Sequence, residues 1–209
     1  MAFDTLLFDL DGTLVDSVAD LGTAVNLLRE ELDLGPLPID QVRDYVGDGA
    51  TMLVRRALPE NVFSEQHLRR FLHLYNEHLL DQTVLYPGIG DFLMAHQGKN
   101  MAVVTNKPYD MTLRLLYELG LTAFFTSIVG ANGNLPKKPD PAPVFMALRD
   151  MRADVEHAVM IGDHHTDLRA GHAAGVKTCF CAWGIGRTDG FPYDYLAETP
   201  QDLLRLFPA

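Results

Sequence analysis

Scarcity carries the first information in this 209-residue chain, which holds two cysteines, one tryptophan and no apolar run of membrane-spanning length. The cysteines, Cys179 and Cys181, flank Phe180 in a strand-like run. Residues two apart on a strand point the same way, so the pair makes a poor disulfide and supplies too few ligands for a structural zinc. Two buried core thiols in a reducing compartment are expected. Basic residues are also short: 17 Lys and Arg face 28 Asp and Glu, for a formal charge of -11 and a pI of about 5.0. A nucleic-acid backbone or an anionic membrane would be repelled except at local basic patches, so neither is an expected partner. An anionic small substrate would need a local cation. The opening "MAFDTLLFDLDGT" lacks a basic n-region and meets acids within its apolar stretch, so no secretory signal is expected and the cytoplasm is the default.

What is present is 47% hydrophobic, enough for one good core or for a core domain with a smaller one inserted into it. Apolar runs at "TLLFDL", "MAVVTN", "TSIVGA", "AVMIGD" and "VKTCFCAW" alternate with helical patterns. That alternation predicts an α/β fold, a parallel sheet covered on both faces. Pro108 is expected in the first turn of the helix "YDMTLRLLYELG", which Gly120 ends, and "TDLRAGHAAG" ends at Gly175. One interval breaks the rhythm, because about seventy residues separate the first strand from the next, far more than one crossover helix needs. Residues 16–81 therefore read as a helical domain inserted into a core formed by 1–15 and 82–209. Ser17 and Asp20 predict a capping-box start for "VADLGTAVNLLREEL", and "SEQHLRRFLHLYNEHLL" is a second long amphipathic stretch. Val15–Val18 and Asp81–Gly88 are the expected hinges.

Chemistry gathers where the strands end. Asp9 and Asp11 follow the first run, Thr105 and Asn106 the second, Lys138 lies in the loop after the third, and Asp163 and Asp167 follow the fourth. In open α/β sheets the ligand crevice lies at the carboxyl ends of the strands, so these groups can converge although scattered in sequence. Gathering carboxylates at the end of an apolar strand is costly unless something offsets their charge. A divalent cation held by Asp9 and Asp163 would do so, and Mg²⁺ suits oxygen ligands best.

The segments "DLDGTLVDS", "VVTNK", "KKPDPAP" and "GDHHTDLRAGHAAG" resemble, in order, the four motifs of the haloacid dehalogenase superfamily of phosphatases. The helical interval resembles its type-1 cap, and the match spans essentially the whole chain. "VRDYVGDGATMLVRRAL", "VVTNKP" and "KKPDPAP" are most similar to the phosphoglycolate phosphatase group. One departure stands out: family members usually carry Ser directly after Gly-Asp, where this chain has His164 and His165. His164 is expected to replace a hydrogen bond around the site, the sharper alternative being an altered metal or substrate preference.

The resemblance implies a Mg²⁺-dependent phosphomonoesterase acting on a small anionic phosphorylated metabolite. Asp9 would be the nucleophile and Asp11 the acid–base, with the Asp11 main-chain carbonyl on the metal; crowding by carboxylates would favour a proton on Asp11. Gly12 would turn the chain and expose backbone N–H groups to the phosphoryl oxygens, and Thr105 and Asn106 would add donors. Lys138 would balance charge, and Asp163 and Asp167 would complete the metal site. In the cap, Arg43, Gly47 and Gly49 are the substrate-binding candidates, with Arg43 or Arg55 able to pair a substrate carboxylate. Asp4 and Asp16 read as structural, and Asp189, Asp194 and Glu198 as solvated surface. 2-Phosphoglycolate heads the expected substrates. A sugar-phosphate mutase, a nucleotidase and a non-catalytic phospho-acceptor module are the alternatives; the chain would act as a monomer or homodimer.

Overall fold

The structure is a computed structural model, described here for residues 3–209. Its first strand, β1 (Thr5–Phe8), is buried at every position. Leu6 and Phe8 pack into one core cluster and Leu7 into another. Alternate side chains of a strand point to opposite faces, so a strand covered on both sides must be apolar throughout. The remaining elements of the sheet are β4 (Asn100–Pro108), β5 (Ser127–Ala131), β6 (Ala158–Gly162), β7 (Lys177–Cys181) and β8 (Tyr195–Ala197), reached after the two-residue strands β2 (Val15–Asp16) and β3 (Val84–Leu85). The six-stranded order is β5-β4-β1-β6-β7-β8, every pair parallel. The order reverses beside β1, which places the crevice at its carboxyl end. Helices α5 (Ile89–Ala95), α6 (Tyr109–Glu118), α7 (Ala142–Met151), α8 (His165–Ala174) and α9 (Asp202–Leu206) follow β3, β4, β5, β6 and β8.

Five strands match the expectation, and the sixth, β8, does not come from a strong apolar run. Polar bonds help hold it, beside its ladder to β7 and the packing of Tyr195 on Phe3 and Phe207. Asp194 accepts from Thr178 N at 2.9 Å, Thr178 Oγ1 at 3.2 Å and Lys177 Nζ at 2.7 Å, so it fastens β7 to the approach of β8 rather than being only solvated surface. Both cysteines are buried free thiols in β7, as expected. Pro108 stands one residue before α6, outside its first turn, while positive-φ Gly120 and Gly175 follow their helices as expected.

Between β2 and β3 run α1 (Val18–Glu31), α2 (Ile39–Arg43), α3 (Ala50–Ala57) and α4 (Glu65–Glu77). The apolar face of α1, with Leu21, Val25 and Leu28, packs with that of α4, which carries Phe71, Leu74 and Tyr75. The β2–β3 ladder pairs Val15 with Leu85 and Asp16 with Val84, so the chain leaves and re-enters the sheet domain at one place. The expected capping box at α1 is absent, because its two residues have stronger partners elsewhere. Ser17 Oγ donates to Asp11 Oδ1 at 2.6 Å, and the fully buried Asp20 accepts from Thr83 N at 2.8 Å, Thr83 Oγ1 at 2.7 Å and Gln82 N at 3.0 Å. A buried carboxylate needs such donors, and these tie the outgoing strap to the returning one.

Candidate active site

Asp9 caps β1 and lies beside Asp163 and Asp167, which follow β6; one oxygen from each falls within 4.8 Å of the others. All three are buried. Asp163 is fixed by Thr13 Oγ1 at 3.0 Å and by the N–H groups of Ile185 at 2.9 Å and Gly186 at 2.8 Å. Asp167 accepts from Lys138 Nζ at 2.5 Å and from His164 N at 3.0 Å. Lys138 also donates to Val104 O at 2.6 Å and stands 2.9 Å from Asp9 Oδ1. That last approach lacks hydrogen-bonding geometry, so Asp9 Oδ1 is a buried oxygen with no donor aimed at it.

Crowding of carboxylates shows in their proton affinities. Burial, then the charge of Asp167, pushes the Asp9 carboxyl up to about 6 against the opposing pull of Lys138. Burial, then Asp9 and Asp167, raises Asp163 to about 8. Burial opposes the charge on Lys138, yet Asp167 and Asp9 hold its proton affinity above the ordinary lysine value. The excess negative charge and the orphaned Asp9 oxygen fit a hard divalent cation, whose charge would favour the ionised carboxylates.

Asp11 sits apart from this cluster. Lys107 Nζ bridges its two oxygens at 3.0 and 3.2 Å, and Ser17 holds Oδ1. Lys107 is itself buried and hydrogen-bonds Tyr75 of α4. Carboxylate crowding thus falls on Asp9 and Asp163, while Asp11 faces a cation. Sequence reasoning passed over Lys107, Tyr75, Thr13 and the Gly184–Gly186 loop. Lys107 was legible only as the last letter of "VVTNK", and the loop as the paired glycines of "WGIG".

Gly12 adopts φ +88°, and a Cβ there would stand 2.2 Å from Asp163 Oδ2, so only glycine fits. Its own N–H donates to Val15 O at 2.9 Å, however, closing the turn into β2 instead of facing a ligand. Thr105 lines the cavity beside Asp9, and its Oγ1 accepts from Lys107 N at 3.2 Å. Asn106 commits its side-chain N–H groups to Gly47 O at 3.1 Å and Lys138 O at 2.9 Å, and its Oδ1 accepts from Lys138 N at 2.8 Å. Its side chain is a brace between the lysine loop and the insertion.

Above Asp9 and Asp11 the insertion encloses a cavity of about 40 Å³, walled by Leu21, Val46, Leu53, Phe71 and Tyr75. Gly47 and Gly49 line it. Arg43 does not: it lies in an adjacent cleft with Asp48, His164 and His165. Arg55 stacks over Phe63 with its guanidinium 4.1 Å from the ring centroid and also lies away from the cavity. His164 caps α8, its ring pairing with Thr166 while its N–H donates to Asp167. Burial, then neighbouring His165, lowers its proton affinity to about 4.

Residues 6–181 match the family model described as haloacid dehalogenase-like hydrolase. A phosphoglycolate phosphatase of Pseudomonas syringae pv. syringae is 37% identical over 213 residues, covering 97% of this chain and 78% of that protein. One from Aquifex aeolicus is 34% identical, covering 96% and 95%. A crystal structure of a predicted phosphoglycolate phosphatase from Haemophilus somnus superimposes with a TM-score of 0.89 at 28% identity, over 98% of this chain and 97% of that one.

Proposed function

The chain belongs to the haloacid dehalogenase-like hydrolase family, and from that premise we propose that it hydrolyses a small anionic phosphate monoester, 2-phosphoglycolate first, through an aspartyl-phosphate on Asp9. One observation carries the reading: four motifs far apart in sequence converge so that buried Asp9 stands 2.9 Å from Lys138 and beside two further acids. A phospho-acceptor module would need no enclosed pocket or second aspartate. The relatives named phosphoglycolate phosphatase support the choice of substrate.

In the first half-reaction an Asp9 oxygen attacks phosphorus in line, the ester P–O bond breaks, and Asp11, which must enter the step protonated and so released from its ion pair with Lys107, gives its proton to the leaving alcohol oxygen. In the second, Asp11 takes a proton from water, whose oxygen attacks phosphorus; the P–O bond to Asp9 breaks and inorganic phosphate leaves. Lys138 holds Asp9 in place and balances charge, and Thr105 is within the cavity to donate to a phosphoryl oxygen. Asp9, Asp163, Asp167 and the Asp11 carbonyl would hold Mg²⁺, which when bound supplies charge neutralisation at the phosphoryl group.

The cavity is narrow, with about 40 Å³ of free volume, so a phosphate ester would be admitted as the insertion shifts outward and held as it returns. Among the described residues Lys107 is the cation lining this cavity outside the acidic cluster, so Lys107, on giving up its bonds to Asp11, and the Tyr75 hydroxyl, rather than Arg43, would receive a substrate carboxylate. Phosphate release should be measured from 2-phosphoglycolate, sugar phosphates and nucleotides, with and without Mg²⁺. A Mg²⁺-dependent preference for 2-phosphoglycolate is the expected result. Preference for a sugar phosphate moves the specificity elsewhere, and a stable phosphoprotein without release overturns the phosphatase reading.

A further inference from the structure

Beside the acidic cluster, in the seam between insertion and sheet, lies a second group of a different chemical kind. Asp48 comes from the loop joining α2 to α3, and His164 and His165 from the start of α8; one ligand atom of each lies within 4.8 Å of the others. The two imidazoles are tilted against each other with centroids 4.1 Å apart. His165 Nε2 faces Asp48 Oδ1 at 3.9 Å and Asp189 Oδ2 at 3.4 Å, distances that leave no direct hydrogen bond in the first case and a long pair in the second. Its Nδ1 is buried and has no partner.

We propose that Asp48, His164 and His165 form a second divalent-cation site, for a borderline metal of the Zn²⁺ type, that pins the insertion onto the core. Two imidazoles and a carboxylate are a nitrogen-rich set that suits Zn²⁺, whereas the all-oxygen cluster around Asp9 suits Mg²⁺. The surroundings are prepared for it. Thr166 holds His164 Nδ1, with Oγ1 at 3.0 Å and its N–H at 3.4 Å, and so fixes the ring; a metal at Nε2 would move the ring proton to Nδ1, where Thr166 Oγ1 can accept it. Two of the neighbouring cations are paired, Arg187 with Asp44 at 2.8 Å and Arg56 with Asp48 Oδ2 at 2.5 Å, which leaves Asp48 Oδ1 for the metal, while Arg43 in the same cleft has only Asp40 at 4.0 Å. Exposed Asp189 is available as a fourth ligand, and the cleft of about 240 Å³ opens to solvent for entry. Because the ligands come from both sides of the seam, metal binding favours the closed position.

The test is a Zn²⁺ titration by calorimetry of the full-length, chelator-stripped wild type, His165→Ala, Asp48→Asn and Thr166→Val, without substrate. Wild type should take up one more Zn²⁺ per chain than His165→Ala or Asp48→Asn, or bind it at least ~100-fold more tightly at that site, and Thr166→Val should weaken it ~10-fold. Amide exchange across residues 44–49 should slow on Zn²⁺ addition in wild type and Thr166→Val but not in His165→Ala or Asp48→Asn. Equal stoichiometry and affinity in all four proteins, or uptake by the acidic cluster only, overturns the proposal. Melting of each metal-free variant checks its fold, and the mild Thr166→Val change keeps the test decisive should a ligand variant unfold. No phosphatase assay enters, so the result is independent of the hydrolase reading.

Discussion

The floor and the roof of the cavity are built on opposite principles. On the floor, Asp163, Asp167 and Lys138 are almost wholly buried and fastened by named donors and acceptors at 2.5–3.0 Å. The roof is mostly Leu21, Val46, Leu53 and Phe71, held by packing, with Tyr75 as its polar point. Phosphoryl transfer needs charges fixed in advance in a dry site, which only directional bonds achieve. Selection among small esters needs a shape that excludes water and misfits, which apolar packing supplies. On the proposed reading, chemistry belongs to the floor and choice of substrate to the roof.

The sharpest way to break that division is Asp9→Asn. It should lower phosphate release by at least ~10⁴-fold while leaving the metal-free melting temperature unchanged or higher, because one of three crowded acids is neutralised. Retained turnover would sink the covalent scheme. Lys138→Met should cost ~10³-fold in kcat and about 3–5 kcal/mol in denaturant unfolding, since Asp9 and Asp167 lose their buried counter-charge. A variant as stable as wild type would show that the floor is not held by this pair.

Changes in the roof should be milder and fall on substrate handling. Gly47 has φ +119°, and a Cβ there would lie 2.6 Å from the His164 ring. Gly47→Ala should prevent the insertion from seating and reduce kcat/KM by ~10–100-fold, with little change in circular dichroism. Tyr75→Phe keeps the ring stacked on Phe71 at 5.9 Å but removes the hydroxyl that meets Lys107. A loss of ~10-fold or less, larger for esters bearing a carboxylate than for neutral ones, is expected from paired KM and kcat measurements; equal losses would remove Tyr75 and Lys107 from substrate selection.

The smallest effect is on stability against pH. Asp9 and Asp163 have folded proton affinities of about 6 and about 8, against an ordinary value of 3.8. Between 3.8 and those values the folded state binds more protons than the unfolded one. Their contribution is therefore full below the unfolded value and is lost as pH rises through the folded values. Metal-free protein should thus lose melting temperature, on the order of a few °C, from pH 5 to pH 8 relative to Asp163→Asn. Added Mg²⁺ should stabilise wild type more at pH 8 than at pH 5, and identical profiles for the two proteins would deny the crowding.

Much of the floor was legible because its residues sit at strand ends. An apolar run that terminates in Asp9, Asn106 or Asp163 marks both the element and the edge of the sheet where ligands gather. The roof was much less legible. Arg43 and Arg55 were plausible anion receivers by charge alone, but the rotation of α2 and α3 turns them away from the cavity and leaves Lys107 facing it. Ser17 and Asp20 have the spacing of a helix cap, yet Asp11 and Thr83 offer buried partners from outside the helix, and tertiary bonds overrode the local motif. β8 escaped notice because a polar clasp through Asp194 helps hold this short edge strand.

The sequence by itself determined the alternation of strand and helix, the inserted helical interval and the identity of the acids and the lysine, because periodicity, strand-end position and motif wording are local properties of the chain. Only the tertiary structure decided which donor serves which acid, that Asp11 answers to Lys107 and Tyr75, and that Asp48 meets His164 and His165 across the seam. Several of those relations join residues far apart in the chain, up to 150 positions. No local pattern encodes them, because they depend on how the insertion docks against the ends of the strands.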